Sequence, residues 1–329
     1  MCGRLTSGAA RHHDHNPKGE VLRFSWLALM VRLSDGLRPR GDSMAISVKP
    51  LHPLFGAEIG QVEIGRPLGD STVAEIRAAF EEYSLLLFRD QELDDEKQIA
   101  FSERFGPLET TVKANPTGGT YFARQSNLDI DTGAVIPPED RRIIYQKANM
   151  FWHTDSSFKR VPALCSLLSA RLVPLEGGDT EFATMRAAYA ELPEATKRRI
   201  EGLVAEHSLV HSRSLVDPRV LTEDQKAELP PVAQTLVRTN PVNGRKSIYV
   251  GAHASHIVGW PVEQGRALLR ELTEFATQQK FVYRHVWRAG DLVVWDNRCL
   301  LHRATPFDTV RYKRLMQRTT VAGDGPTVP

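Results

Sequence analysis

Cysteine is scarce. The chain of 329 residues has three, Cys2, Cys165 and Cys299, and none belongs to a C-x-x-C pair. That usage excludes a disulfide ladder and a cysteine-ligated zinc site, and it makes a reducing compartment, the cytoplasm, the expected location. Long apolar runs are missing too. The most apolar early stretch, Phe24 to Val31, falls far short of the ~20 residues that cross a bilayer. Arg32 follows it with no small-residue cleavage site, so neither a membrane partner nor a secretory signal is expected. Nor is there an excess of one charge, since 42 Lys+Arg stand against 40 Asp+Glu. Residues 1–43 carry 7 of the basic and 4 of the acidic groups, which leaves the remainder close to neutral. Without a concentrated basic face, nucleic acid is not an expected partner. No internal repeat is evident.

What is present is an ordinary globular composition, 41% hydrophobic and 25% charged, in a chain long enough to bury a full core. Residues 1–43 have no sustained period and are expected to be a poorly ordered N-terminal extension, with His12, His13, Asp14 and His15 in a solvated polar tail. The character changes at Met44, an expected translation start, and residues 44–329 read as one domain. Val73, Ile76 and Phe80, with charges between them, predict an amphipathic helix from Ser71 to Tyr83 capped by Ser71 or Thr72. Leu85 to Phe88 reads as a buried strand, and Asp94 to about Phe105 as a second helix stopped by Gly106-Pro107. Further helices are predicted at 185–203, broken near Pro193, and at 262–277. Strands are predicted at 163–173, 179–184, 234–239, 246–251, 281–287 and 291–296. The stretch 110–145 reads as a long polar loop. Short strands with too few helices for regular βαβ alternation favour an α+β barrel or sandwich with helical decoration.

The sharpest local feature is Phe151-Trp152-His153-Thr154-Asp155-Ser156-Ser157-Phe158. In an extended segment His153 and Asp155 point to the same side and can share one ion. Alone, H-x-D is a common tripeptide, more often structural than metal-binding. It gains weight from Gly290 to Arg303, where an apolar strand ends in a turn that delivers His302. Two histidines and a carboxylate make the facial triad of non-haem Fe(II) oxygenases, with positions left open. Arg314 lies 12 residues past His302 and Arg318 four beyond that, and a guanidinium fork suits an anionic co-substrate. Blander readings stand beside these: Thr180 as a strand residue, Arg314 and Arg318 as a solvated basic face, or the triad as the zinc site of a hydrolase. His207, His211, His253, His256 and His285 lack a carboxylate at useful spacing and are expected to pack.

With H-x-D, the distant His and the Arg at +12 in place, the chain resembles the Fe(II)/2-oxoglutarate-dependent dioxygenases of the taurine dioxygenase family. It is closest to the members that oxidise 2,4-dichlorophenoxyacetate. The similarity runs through residues 48–322, in PLHPLFGAEI, FSERFGPLE, WHTDSSF, GGDTEFATMRAAYAELP, LVRTNPVNGRKSIYVGAHASHIVGWPVEQGR, KFVYRHVW and GDLVVWDNRCLLHR. The resemblance implies a double-stranded β-helix, or jelly roll, with His153, Asp155 and His302 binding Fe(II). It implies that Thr180 and Arg314 hold the distal carboxylate of 2-oxoglutarate, and that Arg318, with Ser157 and Lys113, meets the acidic head of a small-molecule carboxylate. His153 and Asp155 are then expected at the end of one core strand and His302 on or just after another, converging from opposite sheets. The implied reaction uses O2, with ascorbate supportive in vitro. It hydroxylates the ether carbon of an aryloxyacetate, releasing a phenol and glyoxylate alongside succinate and CO2. Taurine or alkylsulfonate and 2-aryloxypropionate oxidation are the alternatives. Thr110 to Pro116 has neither His nor Tyr, which counts against taurine. A homo-oligomer is left open.

Overall fold

In the computed structural model, which describes residues 45–328, the apolar run Leu85–Phe88 and the segment Leu292–Asp296, apolar up to its last residue, are strands with every residue buried. Such runs form where a sheet is covered on both faces. The expected extension, residues 1–43, lies outside the described residues. Among those described, the strands in chain order are β1 (Ser47–Pro50), β2 (Ala57–Gly60), β3 (Leu85–Phe88), β4 (Ala123–Ser126) and β5 (Cys165–Leu172). Then come β6 (Thr180–Thr184), β7 (Val204–His207), β8 (Val232–Thr235), β9 (Val237–Thr239) and β10 (Lys246–Ile248). The last are β11 (Ala254–Ile257), β12 (Val282–His285), β13 (Leu292–Asp296), β14 (Leu300–Ala304) and β15 (Leu315–Val321). Helices are α1 (Asp70–Tyr83), α2 (Asp95–Glu103), α3 (Arg141–Lys147), α4 (Met185–Glu191), α5 (Glu194–Ile200), α6 (Leu209–Ser214), α7 (Glu223–Ala227) and α8 (Val262–Ala276).

The major sheet has seven strands in the order β1-β2-β3-β13-β5-β15-β4, and a minor sheet has three in the order β12-β6-β14. Their facing sides form one core, in which Leu168, Met316 and Trp295 of the major sheet meet Phe182 and Leu300 of the minor. The Phe182 and Trp295 rings stand 5.6 Å apart between the layers. This is the jelly-roll sandwich, with the edges of the long strands left for a site. The outer face of the major sheet is closed by Ile76 and Phe80 of α1 and Phe101 of α2. The outer face of the minor sheet packs Ala183 and Leu301 against α4 and α8.

Most local expectations hold, and the exceptions have physical causes. The first helix begins at Asp70 with Gly69 at its N-cap and no side-chain cap, so neither Ser71 nor Thr72 fills that role. The second is capped by Asp94, whose carboxylate accepts from Lys97 N at 2.8 Å, an N-terminal signature worth about 1 kcal/mol. The stretch 234–239 is two strands in different sheets, not one. The stretch 110–145 is not all loop: it contains β4, which pairs with β15, and the start of α3, capped by Asp140.

Candidate active site

His302 sits inside β14, where its Cα partner is Phe182, while Ala304 pairs with Thr180. Directly opposed residues share a face, so Thr180 and His302 face the same side on neighbouring strands. His153 is not at the end of a long strand. It forms a single antiparallel bridge with His302, each residue donating its N–H to the other's carbonyl, at 3.0 and 2.8 Å. That bridge brings the two imidazole rings to 4.1 Å between centroids. The two histidines therefore come from adjacent segments, in place of the expected approach from opposite sheets. The carboxylate supplies the link across the sandwich, because Asp155 Oδ2 accepts from Ser166 Oγ of β5 at 2.7 Å.

The three side chains converge. Asp155 Oδ1 is 4.0 Å from His153 Nε2 and Oδ2 is 3.7 Å from His302 Nε2. One ligand atom from each residue lies within 4.8 Å of the others, and all three residues are buried. The supports fix each donor. Phe151 O lies 2.8 Å from His153 Nδ1 and turns Nε2 inward. Asn297 Oδ1 accepts from the Asp155 N–H at 3.1 Å and from Trp295 Nε1 at 3.0 Å. Burial, against the pull of Asp155, pushes the His153 imidazole down to about 4. Burial and the neighbouring His153 hold His302 well below its ordinary value. Neutral imidazoles are the form that binds a metal. Burial works to raise Asp155, but Arg318, His302 and His153 prevail and keep its carboxyl below the usual range. Two neutral nitrogens and one ionised carboxylate, held by outer partners, fit a divalent ion such as Fe(II).

Beside the triad lies a small cavity bounded by His153, His302, Thr180, Trp295 and Arg314. Arg314 is buried, and its guanidinium reaches only two carbonyls, Gln125 O and Gly178 O, each at 3.3 Å. Its Nε is buried without a partner, and no carboxylate lies within salt-bridge distance among the described residues. Burial pushes it down to about 10. A buried cation so placed wants an anion, and 2-oxoglutarate supplies two. The Gly177-Gly178 turn makes room: both have φ near +70°, and a Cβ at Gly178 would stand 2.8 Å from Pro174 and 3.4 Å from Arg314 Nε. Thr180 Oγ1 accepts from Trp287 Nε1 at 3.0 Å.

A second, larger cavity opens on the other side of His153 and Asp155, walled by Tyr145, Phe158, Arg213, His253 and Arg318. Arg318, on the inner face of β15, pairs with Asp155 Oδ1. Ser156, not Ser157, lines this cavity, because Ser156 takes a left-handed turn, φ 55°. Ser157 is buried behind it with an unpartnered Oγ. Lys113 stands outside both cavities, its side chain 79% exposed and 2.9 Å from Glu228. Residues that motif reading missed include Ser166, Asn297 and Trp287, which hold the triad and Thr180, and Arg213, which has no motif around it. A polar residue recurring inside an apolar strand was the available signal for Ser166.

The comparisons agree with this geometry. The model of the family described as taurine catabolism dioxygenase TauD, TfdA family matches residues 47–320. An alpha-ketoglutarate-dependent 2,4-dichlorophenoxyacetate dioxygenase of Cupriavidus pinatubonensis is 46% identical over 283 residues, 84% of this chain and 98% of that one. An (S)-phenoxypropionate/alpha-ketoglutarate-dioxygenase of Sphingobium herbicidovorans is 40% identical, over 86% of this chain and 96% of that one. Among solved structures, AAD-2 in complex with Mn(II) and N-oxalylglycine superposes with a TM-score of 0.81 at 42% identity, covering 87% of this chain and 100% of that one. With the jelly roll, the buried His-Asp-His cluster and relatives matched along nearly their whole length, the chain belongs to the taurine catabolism dioxygenase TauD, TfdA family of dioxygenases.

Proposed function

We propose that the protein is an Fe(II)- and 2-oxoglutarate-dependent dioxygenase that hydroxylates the carbon next to the carboxylate of an aryloxyacetate such as 2,4-dichlorophenoxyacetate. The observation that carries this is the buried, unneutralised guanidinium of Arg314 in the same small cavity as His153 and His302 of the His-Asp-His cluster. A zinc hydrolase needs no anionic co-substrate beside its metal, and the relatives described above are alpha-ketoglutarate-dependent dioxygenases. In this reading His153, Asp155 and His302 hold the iron, while Arg314 and Thr180 hold the distal carboxylate of 2-oxoglutarate. Thr180 donates its hydroxyl proton to that carboxylate, which can only accept, while one of its own lone pairs accepts from Trp287 Nε1. Arg318 presents the substrate's acidic head so that the methylene, and not the ring, faces the metal, which is a positioning role. When bound, Fe(II) with 2-oxoglutarate and O2 supplies the oxidising chemistry, and 2-oxoglutarate leaves as succinate and CO2. Hydroxylation of the ether carbon gives a hemiacetal that separates into a phenol and glyoxylate.

Ser157 and Lys113 have no part in this reading, since neither side chain faces the cavity. The 40% identity to an (S)-phenoxypropionate enzyme supports a second reading, a 2-aryloxypropionate substrate. Cys165 and Cys299 are free and buried, which supports a reducing, cytoplasmic setting. Among the described residues no helix is long and apolar enough to cross a membrane. The test is succinate formation, with Fe(II), 2-oxoglutarate and ascorbate supplied, across aryloxyacetates, 2-aryloxypropionates, taurine, alkyl sulfates and cinnamates. The reading requires aryloxyacetates to lead, with one phenol released per succinate. Sulfite release from taurine, or turnover without 2-oxoglutarate, would overturn it.

A further inference from the structure

The larger cavity holds more positive charge than the proposed roles use. Lys159 is neutralised by Glu109 at 2.6 Å, and Arg318 by Asp155. Arg124 is half-buried and reaches Gln317 Oε1 at 3.5 Å. Arg213 differs from all three. It lines the cavity beside His153 and His253, it is buried, and its Nε has no partner. Among the described residues no carboxylate lies within 4.0 Å of it, and its guanidinium donates no hydrogen bond. The Tyr145 ring lies 4.3 Å from the guanidinium carbon. A ring face attracts a cation but accepts none of its five N–H groups in the plane of the fork. A buried guanidinium with its fork unmet is costly, so an anion is the expected complement.

We infer that Arg213, oriented by Tyr145, is a second cationic contact for the anionic group of the primary substrate, a carboxylate in the reading proposed above, on which this inference rests. Charge arithmetic permits it. With Asp155 counted toward a divalent ion, that ion, Asp155, Arg314 and a 2-oxoglutarate dianion sum to zero, so Arg318 is released from Asp155 and stands with Arg124 and Arg213 as the cations left at the larger cavity. Arg213 lies on α6 and Arg318 on β15, so the two cations reach the cavity from different elements. Lys113, the other basic residue expected at the substrate's acidic head, pairs with Glu228 at the surface and lines neither cavity.

The experiment is calorimetric titration of the protein loaded with Mn(II) and N-oxalylglycine, which binds without turnover. The ligands are phenoxyacetate, 2-phenoxypropionate and hexyl sulfate, with phenoxyacetamide as the neutral control. Arg213→Met should weaken whichever anions the wild type binds by about 10- to 100-fold, leaving the amide and N-oxalylglycine unchanged. Arg213→Lys, which keeps the charge and the bulk, should fall between, and it carries the test if the methionine variant does not fold. Equal weakening of acid and amide would make Arg213 a packing partner of Tyr145 and overturn the inference, as would unchanged affinity for the acids. A wild type that binds hexyl sulfate and not the aryloxy acids overturns the aryloxyacetate reading while leaving Arg213 to be judged on the sulfate. A wild type that binds no anion overturns both.

Discussion

The two ends of the site are built differently. At the co-substrate end, Thr180, Leu168, Trp295 and His302 stand on β6, β5, β13 and β14, and Arg314 immediately precedes β15. At the primary-substrate end, the walls are the loop from Thr110 to Pro116, Tyr145 on the short α3, Phe158, and Leu209 and Arg213 on the short α6. Polar bookkeeping is alike at both: Arg314 Nε and His302 Nδ1 at the first end, and Arg213 Nε and His253 Nδ1 at the second, are buried without partners. Sheets hold groups more rigidly than loops do. Thr180 and His302 therefore sit on strands, whereas the primary-substrate cavity, apart from Arg124 and Gln125 on β4 and Arg318 and Thr320 on β15, is walled by segments that tolerate change.

The sharpest way to break this comparison is at the metal. His153→Ala or Asp155→Ala should abolish iron-dependent succinate formation and metal binding by calorimetry, with circular dichroism unchanged because both side chains face a cavity and neither belongs to the apolar core. Asp155→Asn keeps the shape and removes the charge, so it should lose most metal affinity too. Next in size comes Arg314→Ala, where removing the partner of a buried carboxylate costs roughly 3–5 kcal/mol. The 2-oxoglutarate requirement should rise by about a hundredfold or more, with aryloxyacetate affinity nearly unchanged. Arg318→Ala should show the reverse pattern and more succinate formed without phenol. If either variant lost both ligands equally, the two ends would be one binding unit and the comparison would fail.

How much of this was legible depended on what each strand had to carry. β3 and β13 are apolar on both faces, and their runs stand out in the sequence. β15 reads Leu-Met-Gln-Arg-Thr-Thr-Val, and its inner face includes Arg318 and Thr320, which pair with Leu168 and Ser166 across the sheet. Function replaced the apolar alternation that would have revealed a strand, so the segment looked like a solvated basic face. β14 is hidden the same way by His302. The metal motif was readable because spacing alone carried it. Arg213 was not, since its meaning lies in the acceptors it lacks in three dimensions, and no local pattern encodes an absence.

A smaller effect belongs to the strand that pairs beside His253. His207, on β7, is the strand partner of Ala254 next to His253, and both its ring nitrogens are buried without partners. Its ring stacks on Tyr249 at 5.4 Å, and the Arg238 guanidinium lies 4.6 Å from the same ring. Burial, then the charge of Arg238, pushes this imidazole down to about 3. The unfolded histidine takes up a proton below about pH 6.5, which the folded one refuses until near pH 3. The unfolded state thus holds more protons in that window, and stability falls as pH drops through it. The loss is roughly 1.4 kcal/mol at pH 5.5. His207→Phe, which keeps the stack, should narrow the gap between unfolding free energies at pH 7.5 and 5.5 by about that amount. An unchanged gap would show that His207 is not neutral in the fold.

The smallest effect tests the rigidity of the co-substrate end through a residue that touches no ligand. Trp287 gives its indole N–H to Thr180 Oγ1 at 3.0 Å in a buried setting, and the edge of His285 packs on it at 4.4 Å. His285 is itself held by Asp291 at 3.1 Å. This chain biases which way the Thr180 hydroxyl points: with one lone pair turned to the indole, its proton points away from Trp287 and is free for the carboxylate beside Arg314. Trp287→Phe removes the donor and keeps much of the ring. The net worth of one such hydrogen bond is about 1 kcal/mol, so the KM for 2-oxoglutarate should rise by about fivefold with the aryloxyacetate KM unmoved. Packing alone could raise that KM, and a double-mutant cycle with Thr180→Val separates the causes. If Trp287 acts through the hydroxyl, it has nothing left to orient in the valine background, and the second substitution should add almost nothing. If the two effects add, Trp287 serves the co-substrate end by shape, and the rigidity there comes from ring packing without the hydrogen bond.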